Sequence, residues 1–343
     1  IDYLRFKAEA AIAANSCKKQ SLSTIEEFEL YRKEVVHHFL KVLGGLPGPR
    51  TDLRAEVTGV LEENGYRIEK VIFQSLPGFY VTSNLYLPDL PAAHGPVPGI
   101  IFAHGHSRDA KAAPAYQKVC LDLVSNGFVV LAVDPIGQGE RFQYWRDGKE
   151  DVEWGIIEHT YAGIKCSLLG MSLARYFCWD LIRALDYLCA RPEVDENRIG
   201  MTGTSGGGTQ TSYMMLLDQR IKAAVPCTYI TSRKAYMGTG QAHDMEQNLF
   251  EAITHSPDHD DFLACFAPKP VLVGAVESDF FNVEGTVESV EKARRIYELY
   301  DAVDKLQLKI APGTHAYVPE LREAAVNWFR VHLMNLEPSF RTG

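Results

Sequence analysis

Several features that would mark a specialised protein are missing from this chain. No uninterrupted apolar run is long enough to span a bilayer. No Lys/Arg-rich stripe is present, and the formal charge of −9 argues against a nucleic-acid partner. Internal repeats and low-complexity segments are absent, so neither a solenoid nor a disordered tract is expected. The seven cysteines (Cys17, Cys120, Cys166, Cys178, Cys189, Cys227 and Cys265) are odd in number and never spaced C-x-x-C. Reduced core thiols in a cytoplasmic protein are therefore the expectation. The chain begins at Ile1 with no signal-peptide pattern, and because Ile1 is not expected to be the true start, a secreted protein with one disulfide stays open. Histidines occur, but never as H-E-x-x-H. A metal hydrolase would have to use His104, His106, His243, Asp244, His255 and His259, and it stands as a rival only.

The sequence is organised around Arg198 to Gln210. There Gly203-Thr204-Ser205-Gly206-Gly207 fits G-x-S-x-G, preceded by a short apolar run and followed by a helix-capable segment, Thr209 to Leu217. A nucleophile elbow has this strand–turn–helix setting. Glycines flank the serine because the turn has no room for larger residues.

Residues 1–50 read as helical, with a capping-box pattern at Ser23-Thr24-Ile25-Glu26 and a stop at Gly44-Gly45-Leu46-Pro47. Residues 53–87 read as antiparallel strands at Ala55–Leu61, Tyr66–Gln74 and Tyr80–Leu87, joined at Glu63-Asn64-Gly65 and Leu76-Pro77-Gly78-Phe79. After Pro88, strand and helix alternate. Runs such as Val129-Val130-Leu131-Ala132-Val133 do not alternate in polarity, which suits parallel strands covered on both faces. One long helix is expected at Leu168–Ala190. Strands are expected at Ala223–Cys227, Val271–Val276 and Leu306–Ile310, and the last helix at Pro319–Leu333. The fold class is α/β: a doubly wound, mostly parallel sheet with antiparallel N-terminal edge strands. It divides into a helical extension, 1–50, and a catalytic domain, 51–343. Two long connections, about 135–165 and 228–268, read as lid-like insertions.

A serine hydroxyl needs a base, and the base needs an orienting acid. In such sheets these follow the serine, acid first, on loops after later strands. Asp279 lies just past one strand and His315 just past the last, within Pro312-Gly313-Thr314-His315-Ala316. Glu277 competes with Asp279 but sits close to the strand end. Asp258-His259-Asp260-Asp261 precedes its strand and belongs to the other edge. Two oxyanion donors are expected: the N–H of Gly206 and, after the strand ending Phe102-Ala103-His104-Gly105, the N–H of His106. Trp145, Trp154, Tyr229 and His243 lie in the long connections and are candidates for a substrate-facing wall. Metal and organic cofactors are not needed, and neither a nucleic acid nor a membrane is expected as partner. A homo-oligomer remains open.

The His104-Gly105 strand end, the elbow, Asp279 and His315 together resemble the α/β-hydrolase superfamily over residues 50–335. Asp195-Glu196-Asn197-Arg198-Ile199-Gly200 is similar to the branch holding acetyl xylan esterases, dienelactone hydrolases and prolyl oligopeptidases. Asp134-Pro135-Ile136-Gly137-Gln138-Gly139-Glu140-Arg141, with Asp279-Phe280-Phe281, resembles the acetyl xylan esterase-like bacterial carbohydrate esterases. The elbow departs from them, having Gly-Thr-Ser-Gly-Gly where Gly-x-Ser-Gln-Gly is usual. The resemblance implies an α/β-hydrolase fold and a serine esterase removing small acyl groups, acetyl above all, from carbohydrate esters. The alternatives are a prolyl oligopeptidase-like peptidase, a dienelactone hydrolase-like enzyme and a non-enzymatic binding protein.

Overall fold

The computed structural model describes residues 2–91, 95–150, 153–241, 243–254 and 257–343. The chain opens with helices α1 (Asp2–Gln20) and α2 (Ile25–Leu43), then strands β1 (Glu56–Glu63), β2 (Tyr66–Leu76), β3 (Phe79–Pro88) and β4 (Val97–Ala103). Helix α3 (Pro114–Val124), strand β5 (Val129–Val133), a short hairpin of β6 (Trp145–Arg146) and β7 (Lys149–Glu150), and helices α4 (Ile156–Leu168) and α5 (Ala174–Cys189) follow. Strand β8 (Val194–Thr204), α6 (Gly206–Leu217), β9 (Ile221–Cys227), α7 (Arg233–Thr239) and α8 (His259–Ala264) come next. The chain ends with β10 (Val271–Ser278), α9 (Val283–Leu299), β11 (Leu306–Thr314) and α10 (Pro319–Met334).

The large sheet has nine strands in the order β1-β2-β3-β5-β4-β8-β9-β10-β11. β1, β2 and β3 pair antiparallel along one edge, and β3 pairs antiparallel with β5. From β5 to β11 all neighbours are parallel. Every residue of β4 and β5 is buried, as their unbroken apolar runs require. Alternate side chains serve two cores. Ile100 and Phe102 meet α3 and α10, while Ile101 and Ala103 face the layer of α5, α6 and α9. The chain leaves β4 toward β5 and returns on its other side as β8. Loops after β4 and β8 therefore diverge, and a crevice opens at the carboxyl ends of those strands.

Two details differ from the sequence expectation. The capping box is Thr24 with Glu27, one residue later than Ser23 with Glu26. The helix expected at Leu168–Ala190 is α5, which starts only at Ala174 because Gly170 at φ +72° separates it from α4, a helix that ends at Leu168 and lies largely in the connection read as an insertion.

The N-terminal helices are packed into the main body. Phe28, Phe39 and Leu43 are fully buried in the core that holds α6, and Phe39 lies 5.0 Å from the ring of Tyr213. The Asp258-His259-Asp260-Asp261 cluster works here. Lys19 of α1 pairs with Asp260 at 2.7 Å and Asp261 at 3.1 Å, and the Tyr31 hydroxyl donates to Asp261 at 2.7 Å. Removing the cation would leave two nearly buried carboxylates uncompensated. Lys19→Met should lower unfolding stability by about 2–3 kcal/mol in urea titration, and Asp260→Asn in the same chain should restore part of it.

Candidate active site

The elbow is built by conflict between strand and helix. β8 ends at Thr204, α6 begins at Gly206, and Ser205 between them takes φ +57° and ψ −122°. A non-glycine residue there stores on the order of 1–3 kcal/mol of strain, which the surroundings must hold. They do so from β9: the Ser205 N–H donates to Cys227 O at 3.1 Å and to Thr228 Oγ1 at 3.2 Å. The flanking glycines are required by close approach. A Cβ on Gly207 would stand 1.9 Å from Ala103 O, and one on Gly206 would stand 2.4 Å from Glu246 Oε1.

Asp279 and His315 meet because their strands end in step. Ser278 pairs with Thr314 in the β10–β11 register, so the next residues leave the sheet together. His315 Nδ1 lies 2.8 and 3.0 Å from the two Asp279 carboxylate oxygens. The Asp279 side chain is 1% exposed and also accepts the Phe281 N–H at 3.0 Å. With Nδ1–H given to the carboxylate, the neutral ring keeps its lone pair on Nε2. Phe280 covers the imidazole at 4.2 Å between ring centres. Glu277 is exposed at the end of β10. Among the described residues the Ser205 hydroxyl has no hydrogen-bond partner, so Asp279 and His315 are joined to each other and the serine is not yet joined to them.

The loop after β4 touches the elbow directly. A Cβ on Gly105 would lie 2.8 Å from Ser205 Cβ and 2.9 Å from Thr204 O, which excludes any side chain there. The Asp134–Arg141 segment braces this loop. Gln138 Oε1 accepts the Ser107 N–H at 2.7 Å. Buried Asp134 accepts from Thr82 Oγ1 at 2.6 Å and the Lys111 N–H at 3.1 Å, and pairs with the Lys111 ammonium. Burial pushes the Asp134 carboxyl up. His104 (Nε2 at 3.7 Å) and Lys111 outweigh it and hold the group well below the usual carboxylate range. Arg141 bonds Tyr80 O and Asp134 O at 3.0 Å and pairs with Asp180 at 2.8 Å.

The insertions add residues whose roles the sequence did not disclose. His159 on α4 and Asp244 and Glu246 after α7 are buried beside the elbow. His106 Nε2 lies 3.1 Å from Asp244 Oδ2 and 3.3 Å from His159 Nδ1. Burial pushes the Glu246 carboxyl up to about 6. It also opposes charge on His159, but Asp244 and Glu246 prevail and push that ring up to about 9. The one sequence signal was the adjacent Glu158-His159 pair in an apolar stretch. Nothing local in Asp244 or Glu246 marks a partner 85 residues away.

Of the candidate wall residues, Trp145 is 54% exposed on the β6–β7 hairpin, its indole N–H donating to Phe142 O at 2.9 Å. Trp154 is half-buried just before α4. Tyr229 must be withdrawn from the wall. It is fully buried, stacked on His259 at 4.7 Å and edge-on to Phe281 at 5.5 Å, because it turns under α6 directly after β9. His243 packs edge-on to Tyr236 at 3.7 Å, and burial together with Arg233 pushes its pKa down to about 2. Among the described residues named for a metal hydrolase, His106 and Asp244 bring ligand atoms together, while His243 and His259 meet through their rings at 6.5 Å. His104 stacks on Tyr116, and His255 lies outside the described residues. No described helix is long and apolar enough to cross a membrane.

The Bacillus subtilis (strain 168) protein YtaP, described as a hydrolase, is 24% identical over 87% of this chain and 99% of its own. The methylesterase BT1017 superposes with a TM-score of 0.73 at 22% identity, covering 96% of this chain and 69% of that one. A glucuronoyl esterase from Solibacter usitatus superposes with a TM-score of 0.66 at 16% identity, covering 90% and 94%. These structural likenesses establish the α/β-hydrolase fold. The sequence profile of the acetyl xylan esterase (AXE1) family matches residues 56–253, from the first edge strand through the elbow into the second insertion. The chain belongs to the acetyl xylan esterase (AXE1) family and is a carboxylic ester hydrolase.

Proposed function

We propose that the chain is a serine carboxylesterase that removes small acyl groups, acetyl foremost, from carbohydrate esters such as acetylated xylan or xylo-oligosaccharides, with Ser205, His315 and Asp279 as its triad. The observation that carries this reading is the Asp279–His315 pair, at 2.8 and 3.0 Å, on the same sheet edge as the positive-φ serine. His315 Nε2 takes the Ser205 proton as Oγ bonds to the ester carbonyl carbon. The N–H groups of Gly206 and His106 receive the oxyanion. The C–O bond to the sugar breaks, and His315 gives the proton to the leaving alkoxide. Water, deprotonated by the same ring, then adds to the acyl carbon, the bond to Ser205 Oγ breaks, and the ring returns its proton to that oxygen as the carboxylic acid leaves. The Ser205–His315 hydrogen bond forms as substrate arrives, since catalytic hydrogen bonds are often long or unaligned before it does. A short acyl group is supported by the lack of room beside the elbow, where even a Cβ on Gly206 would meet Glu246 Oε1 at 2.4 Å and the His106 ring at 3.4 Å.

Two measurements test this. A panel of acetylated xylo-oligosaccharide, longer-chain esters, a methyl uronate, a glucuronoyl ester and a proline amide should show the highest kcat/KM on the acetyl ester. A higher value on the uronate or glucuronoyl bonds would overturn the acetyl assignment, and efficient amide cleavage would favour a peptidase. Separately, Asp279→Asn should lower kcat about 10⁴-fold by fixing the wrong imidazole tautomer, while Glu277→Gln should stay within about twofold. The reverse ranking would make Glu277 the acid.

A further inference from the structure

Three segments that share no strand bring donor atoms to one point beside the elbow. His106 comes from the loop after β4, His159 from α4 in the first insertion, and Asp244 from the second insertion. Their facing atoms form a triangle. His106 Nε2 and His159 Nδ1 are 3.3 Å apart, His106 Nε2 and Asp244 Oδ2 3.1 Å, and His159 Nδ1 and both Asp244 oxygens 3.0 Å. A tetrahedral zinc with bonds of about 2.0–2.1 Å sets its donor atoms roughly 3.3 Å from one another.

The outer bond of one ring supports the same reading. His159 Nε2 lies 2.7 Å from Ile136 O and so carries the hydrogen that it donates there. Once the Nδ1 proton is displaced, the lone pair it leaves faces the Asp244 carboxylate at 3.0 Å and His106 Nε2 at 3.3 Å. A ligating histidine typically has its far N–H on a backbone carbonyl in this way. Next to the triangle a second carboxylate is stranded. Glu246 is 2% exposed, and its Oε1 is buried without a hydrogen-bond partner, close to the His106 ring across Gly206. The ion pairs of Asp244 among the described residues are with His106 and His159 alone, with no lysine or arginine.

We propose that His106 Nε2, His159 Nδ1 and the Asp244 carboxylate bind a divalent transition-metal ion of the zinc type, with Glu246 supplying adjacent negative charge. Two imidazoles with a carboxylate favour zinc, cobalt or nickel over calcium or magnesium. The ion ties the loop bearing the His106 N–H to both insertions, and none of its three ligands is a residue of the proposed triad. It is a binding site beside an esterase centre and not a substitute for it.

The test reads binding, so it is independent of turnover and can be run in Ser205→Ala as well as in the unmodified chain. The full chain, stripped with a chelator, is titrated with Zn²⁺ and with Ca²⁺ by calorimetry, and with Co²⁺ by visible absorption. Expected are saturable uptake of one Zn²⁺ per chain, no uptake of Ca²⁺, and cobalt d–d bands without thiolate charge transfer. Asp244→Asn and His159→Gln should each weaken zinc binding by about 100-fold or more. His106→Gln, on a loop, serves if either of those fails to fold. The proposal is overturned if Zn²⁺ is not taken up saturably, which would mean that protons alone close the triangle. Uptake unchanged by the variants, or a cobalt spectrum with thiolate bands from the cysteines, would overturn it equally.

Discussion

Ser205→Ala is expected to reduce kcat on an acetyl ester by roughly a million-fold, to the level left by the oxyanion donors and binding alone. The fold should survive the change. The hydroxyl has no hydrogen-bond partner among the described residues, and the bonds that hold the elbow use the Ser205 backbone N–H, which alanine keeps. Ser205→Gly makes the prediction sharper. Glycine accepts φ +57° without strain, so this variant should be as inactive as the alanine and about 1 kcal/mol more stable than it. Thermal unfolding and ester turnover measured on both variants decide the matter. Retained turnover in either would remove Ser205 as nucleophile. A glycine variant no more stable than the alanine would mean that the elbow is not strained in solution.

The central sheet was legible because its chemistry is local. β4 and β5 are runs without polar alternation, and such runs suit only strands covered on both faces. The elbow was legible because its glycines are forced by contacts under 3 Å, which leave the sequence no choice. The Asp279–His315 pairing followed from two parallel strands sharing an edge, with no knowledge of their distance.

What failed to show lies in the insertions, and the reason is physical. Helix α4 is inverted: Glu158 and His159 are buried, while Ile157, Tyr161, Ile164 and Leu168 are exposed, the last by 83%. A reading that sends apolar residues inward misplaces such a helix or overlooks it. The apolar residues at its end, Leu168 and Leu169, drew the expected start of the next helix forward to Leu168, whereas Gly170 delays α5 to Ala174. Tyr229 failed differently. Its position just after a strand suggested a loop, but the chain passes beneath α6 before it emerges. The His106–His159–Asp244 meeting is assembled from three separate connections and has no short-range sequence signature at all.

Acid should loosen the second insertion through His259, by an amount on the order of 4 kcal/mol between pH 6.5 and pH 3. His259 opens α8, is fully buried, and accepts the Thr231 N–H on Nδ1 at 3.1 Å, so that nitrogen has no room for a proton. Burial, then Arg233, pushes its pKa down to about 3. A folded pKa below the unfolded value of about 6.5 favours the neutral ring in the native state. Its stabilising effect is therefore complete above pH 6.5 and is lost as pH falls toward 3. His243 acts in the same sense, whereas Asp260, which burial pushes up to about 7, acts against it. A difference between variants cancels both. His259→Asn keeps an acceptor for Thr231 and removes the titration. Between pH 7 and pH 4.5 the unmodified chain should lose about 2–3 kcal/mol more stability than the asparagine variant, read by urea denaturation at each pH. Equal losses would show that the buried imidazole does not govern the acid response, and the weakness would then have to be sought among the carboxylates that hold Lys19.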